Sequence, residues 1–589
     1  MCGIAGVVGQ GAHRYRHQVE RMLDALEHRG PDQRGLIERA DAVLGCQRLA
    51  IMDPEHGRQP IGSADQQVWA VGNGEIYGHR EVRRALGDPV LPSGSDMEVV
   101  VPLWRRHGFD LAAHLPGTFA LAVYDERSGR ALLARDAFGE RPLYWTEPAP
   151  GLIAFASEPR ALLESGLVLR AVDRAVVAEV LRTGYVPNGS CVWQGMRSLP
   201  AGRVLEVDVG RASVVERRWW HPPERQFDFT LAEAADAVAT ELDRSVAEQL
   251  EADQPVGVLL SGGLDSSAVT VTAAQHRPGI TAFSCEVPLD SELDWAKAVA
   301  AVSNVDLQVC HVDEGALGED LLAASRSWGE PFGDSSAVLT WLLSRFVRER
   351  VSVVLTGDGA DELLGGYAVW ARDALRASGP PPPAPRRLPW RRAAPPVGSA
   401  VARAYASYRN YVSPAELASL GLPPRSADDI DVSAYRWGTV EDLCRFDLDA
   451  YLPGDILVKT DRASMAHGLE VRAPFLDRRL AELCLTLPPH CKVDDRHEKL
   501  ALRTAFSTRL PEGLIDRRKQ GFGAPMDRWF QLPDVDALVG DLIRDRRSPL
   551  YELIDPAGAK PILAAGGQPA WTLLMVALWW QHHREPSSS

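Results

Sequence analysis

Cys2 offers two reactive groups on one residue. Removal of Met1, which a small neighbour permits, leaves Cys2 with a thiol and a free α-amine. An α-amine with an ordinary pKa of about 8 accepts the thiol proton, so one residue supplies both nucleophile and base. The plain alternative is a buried structural cysteine. Polar motifs follow at intervals: HRGPD (His28 to Asp32), QRLAIMD, NGEIY (Asn73 to Tyr77), SGSDMEV and RDAFGERPLYW. On local grounds Arg48 and Asp96 read as solvated surface charges. Asn73-Gly74 reads as a type I′ hairpin turn, which is compatible with exposed N–H donors.

A second constellation, SGGLDSS (Ser261 to Ser267), follows the apolar run PVGVLL and opens a helix. Adjacent glycines let the backbone approach a polyanion, small hydroxyls add donors, and the helix start contributes unpaired N–H groups and a positive dipole end. No Gly-Lys-Ser/Thr is present, so γ-phosphoryl transfer of the P-loop kind is not indicated. An acidic chain that handles phosphate needs cations. Asp265 in this loop and Asp361 in TGDGADE are the carboxylates assigned to Mg²⁺, a hard ion commonly shared with substrate phosphates. Helix N-capping is the structural alternative for both.

These residues need a scaffold. Up to about residue 160, short apolar runs broken by Gly and Asp predict β-rich layers with a helix over Val19 to Glu27, an α+β domain. A less regular stretch containing Pro187, Gly189 and Gly195 reads as a connector. From Phe229 the pattern changes: Leu231, Ala235, Val238, Leu242 and Val246 recur at helical spacing. Strand, Gly/Ser loop and helix then repeat at PVGVLL-SGGLDSS and VSVVLTGDGADE, with AVLTWLLSRFVRER as a helix between them. That order predicts an open parallel α/β sheet with its ligand at the strand carboxyl ends. Residues 379–398, rich in proline, cannot be a regular helix and read as an exposed excursion. A mostly helical tail is expected from about Asp442 onward. The domains expected are 2–210, with its connector, and 229–589.

Composition bounds the partners. With 64 Lys+Arg against 79 Asp+Glu the 589-residue chain carries a formal charge of −15, which argues against a basic nucleic-acid footprint. At 45% hydrophobic and 24% charged residues it is globular rather than disordered. MCGIAGVVGQ lacks the basic flank and apolar core of a secretory leader, and Trp571 to Trp580 is too short to span a bilayer and reads as a buried helix. Eight cysteines without a Cys-x-x-Cys pair fit free thiols and a cytoplasmic location, with no membrane partner.

The front motifs together resemble the class II glutamine amidotransferases and, with the rear half, the glutamine-hydrolysing asparagine synthetases. The resemblance implies an N-terminal nucleophile glutaminase domain of layered antiparallel sheets, followed by an ATP-pyrophosphatase domain with a helical C-terminal part. It implies Cys2 as nucleophile and Asn73 with Gly74 as oxyanion hole. The glutamine site would comprise Arg48 for the α-carboxylate, Asp96 for the α-ammonium, and Leu49, Ala50, Ile51, Met52 and Glu75. ATP would lie against Leu260, Ser261, Gly262, Gly263, Leu264, Asp265, Ser266, Ser267, Cys285, Thr356 and Gly357. EPFGDSSAV resembles an acceptor segment, which implies Glu330, Asp334, Ser335 and Ser336; Asp358 assists as a charged or basic group. Lys499 in HEKLALR resembles a lysine that neutralises phosphate charge, with Lys459, Arg462 and Arg472 in support.

The implied reaction converts L-aspartate, L-glutamine and ATP into L-asparagine, L-glutamate, AMP and diphosphate through an acyl-adenylate. The implied partners are these small molecules, Mg²⁺ and a second copy of the chain. Three departures from the family pattern stand out: Gly78 after NGEIY, Cys285-Glu286 in SCEV, and Ala360 in TGDGADE. They leave open a related amidotransferase acting on another carboxylic acid. A non-catalytic scaffold would require losses in the nucleophile, oxyanion or phosphate loops, and none is visible.

Overall fold

The computed structural model describes residues 1–223, 227–287, 292–368, 410–424, 440–517 and 521–584. The proline-rich segment 379–398 lies outside the described residues.

Alternating apolar residues in the front half build two six-stranded antiparallel sheets. The first runs Arg197–Ser198 (β10), Tyr144–Ala149 (β8), Leu152–Ala156 (β9), Cys2–Val8 (β1), Ala42–Arg48 (β3), Gln33–Arg39 (β2). The second runs Ser213–Arg218 (β12), Arg203–Asp208 (β11), Arg130–Arg135 (β7), Thr118–Asp125 (β6), Val68–Glu75 (β5), Ile61–Gly62 (β4). The period-2 geometry of a strand divides β1 between two environments. Cys2, Ile4 and Val8 face Val71, Ala120 and Leu133 of the second sheet. Ala5 and Val7 instead pack on Val19, Met22 and Leu23 of the helix Arg16–Ala25. On its outer side the second sheet carries the helix Val100–His107 through Val100 and Leu103. Helices therefore cover both outer faces. The second sheet continues to Arg218, so the stretch read as a connector contains the helix Arg174–Thr183 and the paired strands β11 and β12.

Behind it lies a five-stranded parallel sheet, ordered Asp306–His311 (β15), Thr281–Glu286 (β14), Val256–Leu259 (β13), Val353–Leu355 (β16), Glu470–Arg472 (β17). Helices Leu231–Gln249 and Leu264–His276 cover one face, and Ser336–Arg348 covers the other through Leu343 and Val347. The order places β13 and β16 side by side at the sheet centre, so the loops after both strands open toward one region. The tail is helical except at β17, where Glu470, Val471 and Arg472 complete the sheet. Three residues carry too little alternation to mark a strand, and only pairing with β16 makes them one. The helix Gly567–His583 buries Trp571 to Trp580, and no described helix is long and apolar enough to cross a membrane.

Candidate active sites

The thiol site lies between the two front sheets. Cys2 begins β1 directly opposite Arg48 of β3, and Ile4 lies opposite Cys46, so the two cysteines share the face turned to the second sheet. Asn73 and Gly74 are strand residues in β5, paired with Ala120 and Phe119. They form no hairpin turn. Cys2 N–H donates to Asn73 Oδ1 at 2.8 Å. The other end of this amide, Nδ2, is fully buried and meets no partner among the described residues. A buried donor left unpaired is costly unless a ligand oxygen takes it, and here it belongs to the amide that holds the Cys2 main chain. A Cβ on Gly74 would lie 2.0 Å from Thr118 O, so only glycine lets β5 approach this closely.

The thiol is tuned. Donation from the Cys46 thiol brings Cys2 down to about 6 against the opposing effect of burial; the chain's N-terminal ammonium, Leu49 N–H and Arg48 add to the lowering. Cys46 is pushed far up in return. In the chain that retains Met1, whose ammonium adds to the lowering, alkylation of Cys2 by iodoacetamide is therefore expected to rise with pH through a midpoint near 6. In Cys46→Ala the midpoint moves up by about one unit or more, because the donor that favours thiolate is gone. Peptide mass spectrometry across pH 4 to 10 reads it, and an unmoved midpoint removes Cys46 from this role.

Arg48 and Asp96 are buried rather than solvated. The Arg48 guanidinium donates to Gln33 Oε1 at 2.9 Å and to the Met52 and Asp53 carbonyls at 2.5 and 3.1 Å. Asp96 Oδ2 accepts Ile76 N–H at 2.7 Å, and burial raises its pKa. Gly57, which the sequence reading missed, stands between Arg48 and Ser95, the neighbour of Asp96: a Cβ there would lie 2.6 Å from Arg48 Nη2 and 2.8 Å from Ser95 Cβ. Gln59 was also missed; it spans Gly72 by two hydrogen bonds and brings Nε2 to 4.0 Å from Cys2 Sγ. Leu49, Ala50, Ile51 and Met52 are buried. Glu75 is buried 3.4 Å from Arg472, with its pKa raised by burial and by the neighbouring Asp96. Gly78, the departure after NGEIY, takes a left-handed φ of 64° at the start of the helix His79–Ala85, a conformation glycine adopts freely.

The second site is a cavity of about 450 Å³ at the carboxyl ends of β13, β14 and β16. Leu260 through Ser266, Cys285, Thr356 and Gly357 all line it, whereas Ser267 is fully buried outside its wall. Gly262 has a φ of 85°, and a Cβ there would meet Glu292 O at 2.6 Å. A Cβ on Gly357 would fall 2.8 Å from Ser266 N, so the two glycine loops touch. Ala360 escapes the strain that a left-handed angle would impose. Gly359 takes φ 92°, and Ala360 opens the helix Ala360–Leu364 with its methyl buried. Cys285 pairs in register with Cys310, whose thiol contact and the burial hold it protonated.

Lys499 Nζ joins Asp265 Oδ2 at 2.5 Å and Asp361 Oδ1 at 2.6 Å. Its backbone has φ 56°, a left-handed conformation that costs an ordinary residue about 1–2 kcal/mol, so the surrounding contacts hold it there. Two carboxylates converging on one ammonium supply the hard oxygens a divalent cation takes when shared with phosphates. Among the described residues no group of three or more His, Cys, Asp or Glu offers a complete protein cage. The cavity wall carries seven carboxylates against four cations, so a polyanion entering it gains from an added cation.

Lys459 Nζ donates to Asp334 Oδ2 and Ser336 Oγ, both at 2.9 Å, and Thr460 Oγ1 donates to Asp358 Oδ2 at 3.0 Å. Burial raises Asp358, and the Lys459 charge and Thr460 restrain the rise. The acceptor residues thus divide: Asp334 and Ser336 line the cavity, Ser335 does not, and Glu330 lies apart. Glu330 accepts Tyr144 O–H at 2.7 Å and Val192 N–H at 2.8 Å. Arg462 and Arg472 are buried in ion pairs away from the cavity wall, with Glu158 and Glu470 respectively. Arg503, Arg517 and Tyr451 also line the cavity and were not anticipated; Arg503 ends the HEKLALR run that carries Lys499, whereas Arg517 lies outside every motif noted above.

Comparison with known proteins places these two sites in sequence families. A glutamine amidotransferase domain model matches residues 1–220, and an asparagine synthase model matches residues 237–581. The chain is 26% identical to asparagine synthetase [glutamine-hydrolyzing] 1 of Bacillus subtilis, over 98% of this chain and 96% of that one. It is 28% identical to asparagine synthetase [glutamine-hydrolyzing] 3 of the same organism, over 89% of this chain and 87% of the relative. With an Arabidopsis thaliana asparagine synthetase [glutamine-hydrolyzing] it shares 27% identity, over 89% of this chain and 78% of the relative. Since the synthase match alone spans more than half its length, the chain belongs to the asparagine synthase family.

Proposed function

We propose that this protein is a glutamine-hydrolysing amide ligase that converts L-aspartate, L-glutamine and ATP into L-asparagine, L-glutamate, AMP and diphosphate. The observation that carries the reading is the pairing of a buried, acidified thiol with an unpartnered Asn73 Nδ2 donor in a chain that also holds a glycine-loop cavity.

In the front site, Cys2 attacks the glutamine side-chain amide. Asn73 Nδ2 and Gly74 N–H take the developing oxyanion, a contact worth most where it forms only in the transition state. Arg48 holds the substrate α-carboxylate and Asp96 its α-ammonium; the missing side chain of Gly57 leaves room beside the Arg48 guanidinium. Removal of Met1 frees the α-amine that accepts the thiol proton.

In the rear site, the Ser261–Ser266 loop and the start of the helix Leu264–His276 cradle the ATP phosphates. Lys499 neutralises their charge. Asp265 and Asp361 would hold Mg²⁺, which would stabilise charge on the phosphate oxygens as a Lewis acid. The acceptor carboxylate lies toward Asp334, Ser336 and Lys459, where its oxygen attacks the α-phosphorus. Diphosphate leaves, and ammonia displaces AMP. The acidic net charge fits small-molecule partners rather than nucleic acid, and a cytoplasmic homodimer is the working expectation.

The test supplies ATP, Mg²⁺ and glutamine labelled with ¹⁵N in the side-chain amide to a panel of carboxylic acids, reading AMP and product mass. Aspartate is expected to give labelled asparagine and one AMP per product. AMP formation with a different acid, and none with aspartate, replaces the acceptor and keeps the mechanism. ATP cleavage to AMP without label in any product overturns the reading.

A further inference from the structure

Gln59 is buried where the two front sheets meet at the thiol, and no step of the proposed reaction uses it. The antiparallel register that pairs Ile61 with Ala70 and Gly62 with Trp69 would, carried two residues further, set position 59 opposite Gly72. Pro60 has no N–H for that ladder, and the side chain of Gln59 supplies the bonds instead. Its Oε1 accepts Gly72 N–H at 2.7 Å, and its Nε2 donates to Gly72 O at 3.0 Å. On the other side, a Cβ on Gly35 of β2 would run into Gln59 O, so glycine there lets the residue reach the first sheet.

The two Gly72 bonds fix which end of the carboxamide is which. Turned over, its oxygen would face Gly72 O and its NH₂ group Gly72 N–H, two repulsive contacts. The second N–H of Nε2 is left for the Cys2 sulfur, 4.0 Å away. A cysteine side chain has three staggered positions about its Cα–Cβ bond, and one of them puts the sulfur at a given point. The bond from Cys2 N–H to Asn73 Oδ1 holds the main chain against β5 but leaves that rotation free. The Gln59 amide is anchored to Gly72, the residue before Asn73, so it refers the sulfur and the open Asn73 donor to one strand.

We propose that Gln59 is a positioning residue for glutamine hydrolysis, its anchored carboxamide directing an N–H at the Cys2 sulfur and holding it in line with the oxyanion donors of β5. The inference rests on the thiol reaction proposed above. Gln59 sets where the sulfur stands, and Cys46 sets its proton.

The experiment compares the parent with Gln59→Met, which keeps the length and loses every polar contact, and with Gln59→Glu, which can accept Gly72 N–H but has no N–H to donate. Both variants are expected to lower kcat for glutamine hydrolysis by about 10- to 10²-fold, the scale of a misplacement of about 1 Å, with KM within about threefold. Ammonium-dependent AMP formation stays within about twofold, and near-ultraviolet circular dichroism is unchanged. In Gln59→Met the midpoint of Cys2 alkylation, compared at the same N-terminus, stays within about half a unit of the parent.

An aldehyde analogue of glutamine separates position from binding. The Cys2 sulfur adds to the aldehyde carbon, the carbon–oxygen π pair moves onto oxygen, and the thiol proton passes to the α-amine, leaving an oxyanion for the Asn73 and Gly74 donors. Its inhibition constant is expected to rise about tenfold or more in both variants, while that of glutamate, which forms no such adduct, stays within about threefold. Unchanged hydrolysis, a KM rise with kcat preserved, a midpoint moved by about a unit or more in Gln59→Met, or equal loss with glutamine and ammonium overturns the proposal and leaves the reaction standing. A parent that releases no glutamate from glutamine defeats the reaction itself.

A measurement on the parent covers variants that fail to fold. With ¹⁵N in the glutamine side chains, one carboxamide resonance is expected to shift with pH through the Cys2 midpoint and to stand still in Cys2→Ala. Absence of such a resonance overturns the proposal.

Discussion

Replacing Cys2 with alanine is expected to lower glutamine-dependent amide formation by about 10³-fold or more, while synthesis from ammonium stays within about twofold of the parent. The thiol belongs to the residue whose N–H bonds the Asn73 amide, and it lies in the front sheet pair, outside the wall of the glycine-loop cavity. Loss of the sulfur removes the covalent step and leaves the phosphate chemistry untouched. The measurement is product formation with each nitrogen source at saturating ATP and acceptor. Equal loss with both sources contradicts the division of labour. The choice of alanine is conservative for the fold, since Cys2 is small and its neighbours Ile4, Leu44 and Val71 continue the packing.

Asp265→Asn and Asp361→Asn are each expected to suppress AMP and diphosphate formation by about 10²-fold or more, with ammonium as well as with glutamine. The two carboxylates come from loops after β13 and β16, and both contact the Lys499 ammonium. An amide keeps the shape and removes the charge, so the loss reports charge rather than packing. Glutamine hydrolysis in the absence of ATP is expected to persist. The suppression should ease as Mg²⁺ is raised, if the lost group lowered metal affinity. Unchanged nucleotide turnover in either variant takes that carboxylate out of the phosphate site.

The two variants separate the halves of the protein, and the Cys46 substitution addresses what tunes the front one. Cys46 acts on one proton within the front site. The junction between the halves is bridged by Arg29, which reaches Cys2 O and Asp461, by the Glu75–Arg472 ion pair and by the Asp53 N–H bond to Asp253 Oδ2 at 2.7 Å.

Legibility differed by residue in ways that local physics explains. The Ser261–Ser267 loop could be read because its glycines, its small hydroxyls and the flanking strand and helix are contiguous. Asn73-Gly74 invited a hairpin reading because the dipeptide alone favours one, and eight cross-strand pairs with β6 decided otherwise. The start of the helix at Val19 was placed three residues late, since Arg16 and Gln18 lie on its polar face and carry no apolar signal. Gly57 and Gln59 were invisible because nothing in their neighbourhood distinguishes a site-lining residue from a turn. Whether the methyl of Ala360 meets a left-handed angle could not be read from TGDGADE, and the structure puts that angle one residue earlier, on Gly359.

What the sequence alone determined was the chemistry available and the class of each half: nucleophile, phosphate loop, antiparallel layers in front, parallel sheet behind. Those follow from short-range rules, in which periodicity, glycine placement and side-chain type act over a few residues. The tertiary structure alone decided that Asn73 leaves one buried donor open beside Cys2, that Lys499 closes on Asp265 and Asp361, that Glu330 stands away from the cavity, and that Glu470–Arg472 completes the sheet. Each of these depends on groups from separate strands and helices arriving at one point, and long-range packing, not local pattern, sets where they arrive.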